Sequence, residues 1–155
     1  MHRNRYGVSL SACGSLWLIS SLALFLAAGC GRSTPYAVVP VSGKVAYDDG
    51  SPIPADQVHL VFVSQTPPVD PKMPPRTGKA DAVNGKFDFA TTFLYKDGII
   101  TGDHKVVVMC IRKGQLVKNL VPPEYGDETK TPLRVKSGES PFDLKVPKPG
   151  RTAKS

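Results

Sequence analysis

Fifteen prolines, all beyond residue 34, and fourteen glycines cut this 155-residue chain into pieces too short for long helices. A proline inside a helix removes a backbone donor and collides with the preceding turn, while glycine costs entropy in any regular element. Between these breaks the apolar residues come in short bursts at period two, the pattern of strands with one face on a core. The expected fold class is all-β, and the number of bursts, seven, suits an antiparallel sandwich of two sheets.

The first 30 residues are different. His2, Arg3 and Arg5 precede an apolar run over residues 16–28, and small residues lead to a cysteine. This is the layout of an export signal. As a helix the run is about 20 Å long, short of the roughly 30 Å hydrocarbon core that a permanent span must cross. The residues Leu26-Ala27-Ala28-Gly29-Cys30 resemble the lipobox of bacterial lipoproteins, with Leu26 one place earlier than usual. The resemblance implies cleavage between Gly29 and Cys30 and a diacylglyceryl group on the Cys30 sulfur. Two acyl chains, at about 0.8 kcal/mol per buried methylene, anchor a protein stably without a helix. Gly31 lacks the aspartate associated with inner-membrane retention, so the resemblance implies the outer membrane, facing the periplasm, in a host that has one. The expected organisation is a signal peptide over 1–29, a lipidated cysteine and tether over 30–40, a β-sandwich over 41–147 and a loose basic tail over 148–155.

Removing the leader with Arg3 and Arg5 leaves 18 basic against 13 acidic residues, a net charge of +5. The basic residues are scattered among acids, and no recognition motif accompanies them, so nucleic acid is not an expected partner. Once Cys13 leaves with the leader and Cys30 is acylated, Cys110 has no partner for a disulfide, and the fold must be held by its core.

Within the domain, Val41, Val45 and Tyr47 alternate with polar residues, and Val58, Leu60 and Phe62 form a second apolar row. Residues 64–77 carry five prolines and read as a projecting loop. Asn84-Gly85 between two strand-like runs is a hairpin signal, because both residues tolerate positive φ; Phe87 and Phe89 are expected in the core. After a polar connection, residues 104–111 read as a central strand buried on both faces. Residues 133–135 and 142–146 supply two closing strands. Val41-Ser42-Gly43-Lys44-Val45-Ala46-Tyr47 with its Asp49-Gly50 turn, Gly78-Lys79-Ala80-Asp81, Asn84-Gly85-Lys86-Phe87 and Val121-Pro122-Pro123-Glu124-Tyr125-Gly126-Asp127 resemble the carboxypeptidase-regulatory-like, or transthyretin-like, domain of small bacterial lipoproteins. The resemblance covers residues 41–146; it implies a seven-stranded sandwich and no reaction.

Catalysis requires converging polar groups, and the exported part offers two histidines, His59 and His104, on separate expected strands, with no metal-ligand spacing. Both are expected at the surface or a strand end. No catalytic, metal or cofactor residue is assigned, and Asp81, Asp88 and Asp143 read as outward strand positions. A hydrolase using His59 or His104, as in the hydroxyisourate hydrolases of the transthyretin fold, is the alternative function; the C-terminus lacks their Tyr-Arg-Gly-Ser. The candidate binding surfaces are the loop carrying Pro67, Pro68, Pro74, Pro75 and Arg76, and the loop over 121–130 with an exposed Tyr125. The expected function is a non-enzymatic binding or structural module, attached to a membrane through Cys30 and facing an envelope protein or glycan.

Overall fold

The computed structural model describes residues 34–150. Gly29 and Cys30, with the expected cleavage and lipidation sites, lie outside the described residues, as do residues 151–155 of the tail. The described part is mostly β. Its strands are β1 (Val38–Val39), β2 (Gly43–Tyr47), β3 (Gln57–Ser64), β4 (Gly78–Val83), β5 (Lys86–Phe87), β6 (Ile99–Ile100), β7 (Asp103–Arg112), β8 (Gln115–Val117), β9 (Arg134–Lys136) and β10 (Phe142–Val146). Two short 3-10 turns, Pro123–Gly126 and Ser137–Glu139, are the only helical pieces among the described residues.

Eight strands join in one hydrogen-bonded path, β10-β2-β5-β4-β3-β7-β8, with β9 also on β7; β1 and β6 form a separate two-stranded ribbon. The sheet is mixed, which departs from the antiparallel expectation: β10 runs parallel to β2, pairing Phe142 with Gly43 through Val146 with Tyr47. Parallel neighbours need a long crossover, and nearly the whole domain lies between these two strands. Three strands, β1, β6 and β8, escape a period-two reading because two or three residues cannot display a period.

The path must curl. From β10 to β3 is four strand steps, about 19 Å across a flat sheet, yet the Phe62 ring on β3 lies 5.9 Å from that of Phe142 on β10 and 6.0 Å from that of Phe87 on β5. Curling brings the inward rows of β2 and β10 onto those of β3, β4 and β7. The core includes Val45, Leu60, Phe62, Ala80, Val106, Val108, Cys110, Leu144 and Val146. β7 lies between β3 on one side and β8 and β9 on the other, as expected of a central strand, but only its inward row is fully buried; of the opposite row Val107 alone is, while Lys105, Met109 and Ile111 are partly exposed. The hairpin forms at Asn84 (φ 52°) and Gly85 (φ 73°). Phe87 is buried, but Phe89 is half-exposed and belongs to the outer surface.

Both ends of the expected domain move outward. Residues 36–39, assigned above to the tether, are part of the folded body: Tyr36 is 5% exposed, and Val38 and Val39 pair with Ile100 and Ile99. Lys148, assigned to the loose tail, is docked, its Nζ 2.6 Å from Asp49 and 5.4 Å from the Tyr47 ring centroid. In each case the tertiary partner is far away in sequence, where periodicity has no reach.

His104 is also corrected. It is 1% exposed and faces the core, its ring set edge-on to Phe62 at 6.5 Å. Nδ1 sits 3.2 Å from the Gly102 carbonyl, and Nε2 is buried without a partner. Burial depresses its pKa below the ordinary 6.5, only partly opposed by the Gly102 carbonyl and the charge of Asp103. The unfolded chain therefore takes up this proton at a higher pH than the folded one, and stability falls as pH drops below about 6.5. A thermal midpoint that declines from pH 7.5 to pH 5 is expected, with the decline flattened in His104→Phe. Asp49, Asp97 and Asp127 are all held below the usual carboxylate range and titrate beneath this window.

Candidate functional site

The register of β3 against β7 decides first what the two histidines can do together. Ser64 lies opposite His104, and His59 is five residues along the same strand from Ser64. Five is odd, so the two side chains fall on opposite faces of the sheet, roughly 16 Å apart along it. They do not form one site.

His59 instead meets Asp81. The two are directly opposed across β3 and β4, and His59 Nδ1 lies 2.5 Å from Asp81 Oδ1. A proton on Nδ1 makes this hydrogen bond and leaves Nε2 for a further partner. One step along the strands, Lys79 stands opposite Val61, on the same outer face as Asp81. The strand alternation dictates this: Gly78, Ala80 and Ala82 face inward, so Lys79 and Asp81 face out.

The walls come from two connections. Residues 89–98 form a compact turn organised by Asp97, whose carboxylate accepts from the backbone N–H groups of Thr92, Phe93 and Leu94 at 2.7–2.9 Å. Burial works against ionisation there, but these donors outweigh it and hold the carboxyl below its ordinary range. The turn presents Tyr95, 76% exposed, packed edge-on against Phe89 at 5.5 Å. Lys96 Nζ lies 4.5 Å from the Phe89 centroid and 5.1 Å from that of Tyr95. The second wall is the end of the proline-rich loop, where the Arg76 guanidinium sits 5.5 Å from the Phe93 centroid.

That loop is less free than its prolines suggest. Tyr36 reaches into it, donating from its hydroxyl to the Met73 carbonyl at 2.7 Å and accepting from Val69 N–H at 3.1 Å. The Tyr36 ring stacks on Phe93 at 6.4 Å, nearly parallel. Pro67, Pro68 and Pro74 are exposed and Pro75 is half-buried; of the sequence-based candidates in this loop, Arg76 alone lines the cleft. The cleft, about 730 Å³, is bounded by His59, Arg76, Lys79, Asp81, Thr91 and Tyr95 among others. Tyr125 does not join it. That residue is 6% exposed and lies in the core cluster, with its hydroxyl pKa raised by burial and by the charges of Asp48 and Glu124. The 3-10 turn that carries it packs against β7 and turns the ring inward.

A second hollow, about 310 Å³, lies along Val108, Cys110, Val117, Val121 and Pro122. Its one thiol is a poor nucleophile, because burial pushes Cys110 up to about 11 against the weaker opposing effect of Arg112. Among the described residues no group of three or more His, Cys, Asp or Glu could hold a metal ion, and no helix is long and apolar enough to cross a membrane.

Sequence reasoning placed Phe89 in the core and missed Tyr95 and Lys96, reading their segment as a polar connection. The available signal was Phe93-Leu94-Tyr95 within that connection, three large apolar residues with no periodic place in a strand. Comparison of the chain with family models, with curated proteins and with solved structures gave no match in any of the three.

Proposed function

We propose that this chain is a bacterial lipoprotein, attached by lipid on Cys30 to a cell membrane outside the cytoplasm, whose transthyretin-like β-sandwich is a non-enzymatic binding module of the envelope. The carrying observation is Leu26-Ala27-Ala28-Gly29-Cys30 at the end of a basic-then-apolar leader. The thiol is the acceptor of the diacylglyceryl group, and the small neighbours let the processing enzymes approach the backbone. Six peptide links separate Cys30 from the buried Tyr36, a reach of about 20 Å at most, so the module stays near the bilayer. The outer membrane, facing the periplasm, is the proposed location in a diderm host.

The binding half of the reading rests on the cleft around His59 and Asp81. It combines cations, a hydrogen-bonding pair and a solvent-facing aromatic ring, the kinds of group by which a cleft recognises a polar ligand.

Intact mass of the membrane-extracted protein tests the anchor. A chain beginning at residue 30 with an added diacylglyceryl mass is expected, and Cys30→Ser is expected to keep its leader and lose that mass. An unacylated chain, or a serine variant that is processed like the parent, would sink the proposal.

A further inference from the structure

We infer that the cleft between β3, β4 and the 89–98 turn binds an acidic saccharide, a sugar chain bearing carboxylates. This deepens the binding reading proposed above and rests on it. Three kinds of group meet in the cleft, and each matches a different part of such a ligand.

The first is charge. Arg76 and Lys79 line the cleft and Lys96 sits over its aromatic pair, against the single lining carboxylate of Asp81. Asp97 is engaged by three backbone donors. The balance favours an anion, and guanidinium and ammonium groups are the usual partners of carboxylates. The second is the His59–Asp81 pair, which offers hydrogen-bonding atoms on both residues beside the hydroxyls of Thr91 and Thr92. A row of sugar hydroxyls, each donor and acceptor at once, suits this edge. The third is Tyr95. A ring 76% exposed yet held by Phe89 and Lys96 is a preformed platform, and its negative face attracts the polarised C–H groups of a pyranose.

A small inorganic anion would use the cations and leave Tyr95 and the pair idle. A neutral sugar would use those two and leave Arg76 and Lys79 without a counterpart. A flat anionic membrane would meet the exposed cations but not the floor of a cleft. The volume, about 730 Å³, falls within the roughly 300–1,000 Å³ of ligand clefts and has room for more than one sugar ring.

The test is calorimetric titration of the full chain, extracted in nonionic detergent, with a galacturonate tetrasaccharide and with its methyl ester, which keeps the skeleton and removes the charge. The acid is expected to bind at least tenfold more tightly than the ester. Tyr95→Ala should weaken both at least fivefold, whereas Tyr95→Phe should bind like the parent. The Arg76→Gln, Lys79→Gln pair should erase the preference for the acid. Each variant is compared at equal thermal midpoint to the parent within a few degrees. Equal binding of acid and ester, no binding of either, or binding unchanged in Tyr95→Ala would overturn the inference. So would the absence of sugar binding alongside Arg76- and Lys79-dependent binding to phosphatidylglycerol vesicles. The Cys30→Ser chain should bind the saccharide like the parent, so failure of the anchor and failure of the site are read separately.

Discussion

Phe62→Ala is expected to cost about 3–5 kcal/mol of folding stability, the range for removing a large aromatic side chain from a packed core. Phe62 is 0% exposed and its ring is met by Phe87, Phe142 and His104, from strands β5, β10 and β7. These strands are not neighbours of one another in the sheet, so the ring is where the curled path closes on itself. Its removal leaves a cavity that three separate backbones would have to move to fill. Against a typical stability of about 5–15 kcal/mol, the loss is a large fraction of the whole. Urea denaturation should show a much lower midpoint with an unchanged slope. Leu94→Ala, at a position 63% exposed, should change stability by no more than about 0.5 kcal/mol. A loss under about 1.5 kcal/mol at Phe62 would mean that the sheet does not close around this ring.

The contrast between these positions explains how far the sequence alone could be read. Val58, Leu60 and Phe62 announce their inward face through alternation, and Asn84-Gly85 announces its hairpin through chemistry that few other residues share. Such signals are local, and they carried the inward faces of β2, β3 and β4. The parallel pairing of β10 with β2 is decided by partners 99 positions apart, Gly43 with Phe142, and leaves no trace in either segment's own pattern. His104 fits its strand's inward row, yet its polarity argued for the surface; the register overrode that preference and left Nε2 orphaned. The cleft was legible only in part. Lys79 and Asp81 follow from alternation, but their joining to His59, Arg76 and Tyr95 depends on the cross-strand register and on a turn that Asp97 organises from its own backbone. Tyr125 was misplaced for the converse reason: a loop was assumed to be exposed, while the 3-10 turn carries its ring into the core.

Gly98→Ala is expected to destabilise the protein by about 2–5 kcal/mol, combining backbone strain with a contact that cannot relax. Gly98 has φ +101°, a conformation that L side chains rarely adopt, and a Cβ there would run into the Val39 carbonyl and come within 2.8 Å of Pro40 N. Both are backbone, so no rotamer can give way. Gly50→Ala separates the two effects: its φ is +82°, but nothing lies within 4 Å of the added carbon. Strain alone should cost that variant about 1–2 kcal/mol. The excess at Gly98 is the cost of displacing β1 from β6, where Val38 and Val39 pair with Ile100 and Ile99. Hydrogen exchange should therefore speed up at Ile99 in Gly98→Ala and stay unchanged there in Gly50→Ala. The displacement reaches the cleft as well, because Tyr36, two residues before β1, stacks on the Phe93 ring that seats Arg76. Equal losses in the two variants would show that β1 yields without cost, and that the segment leading back toward Cys30 is not bound to the body of the domain.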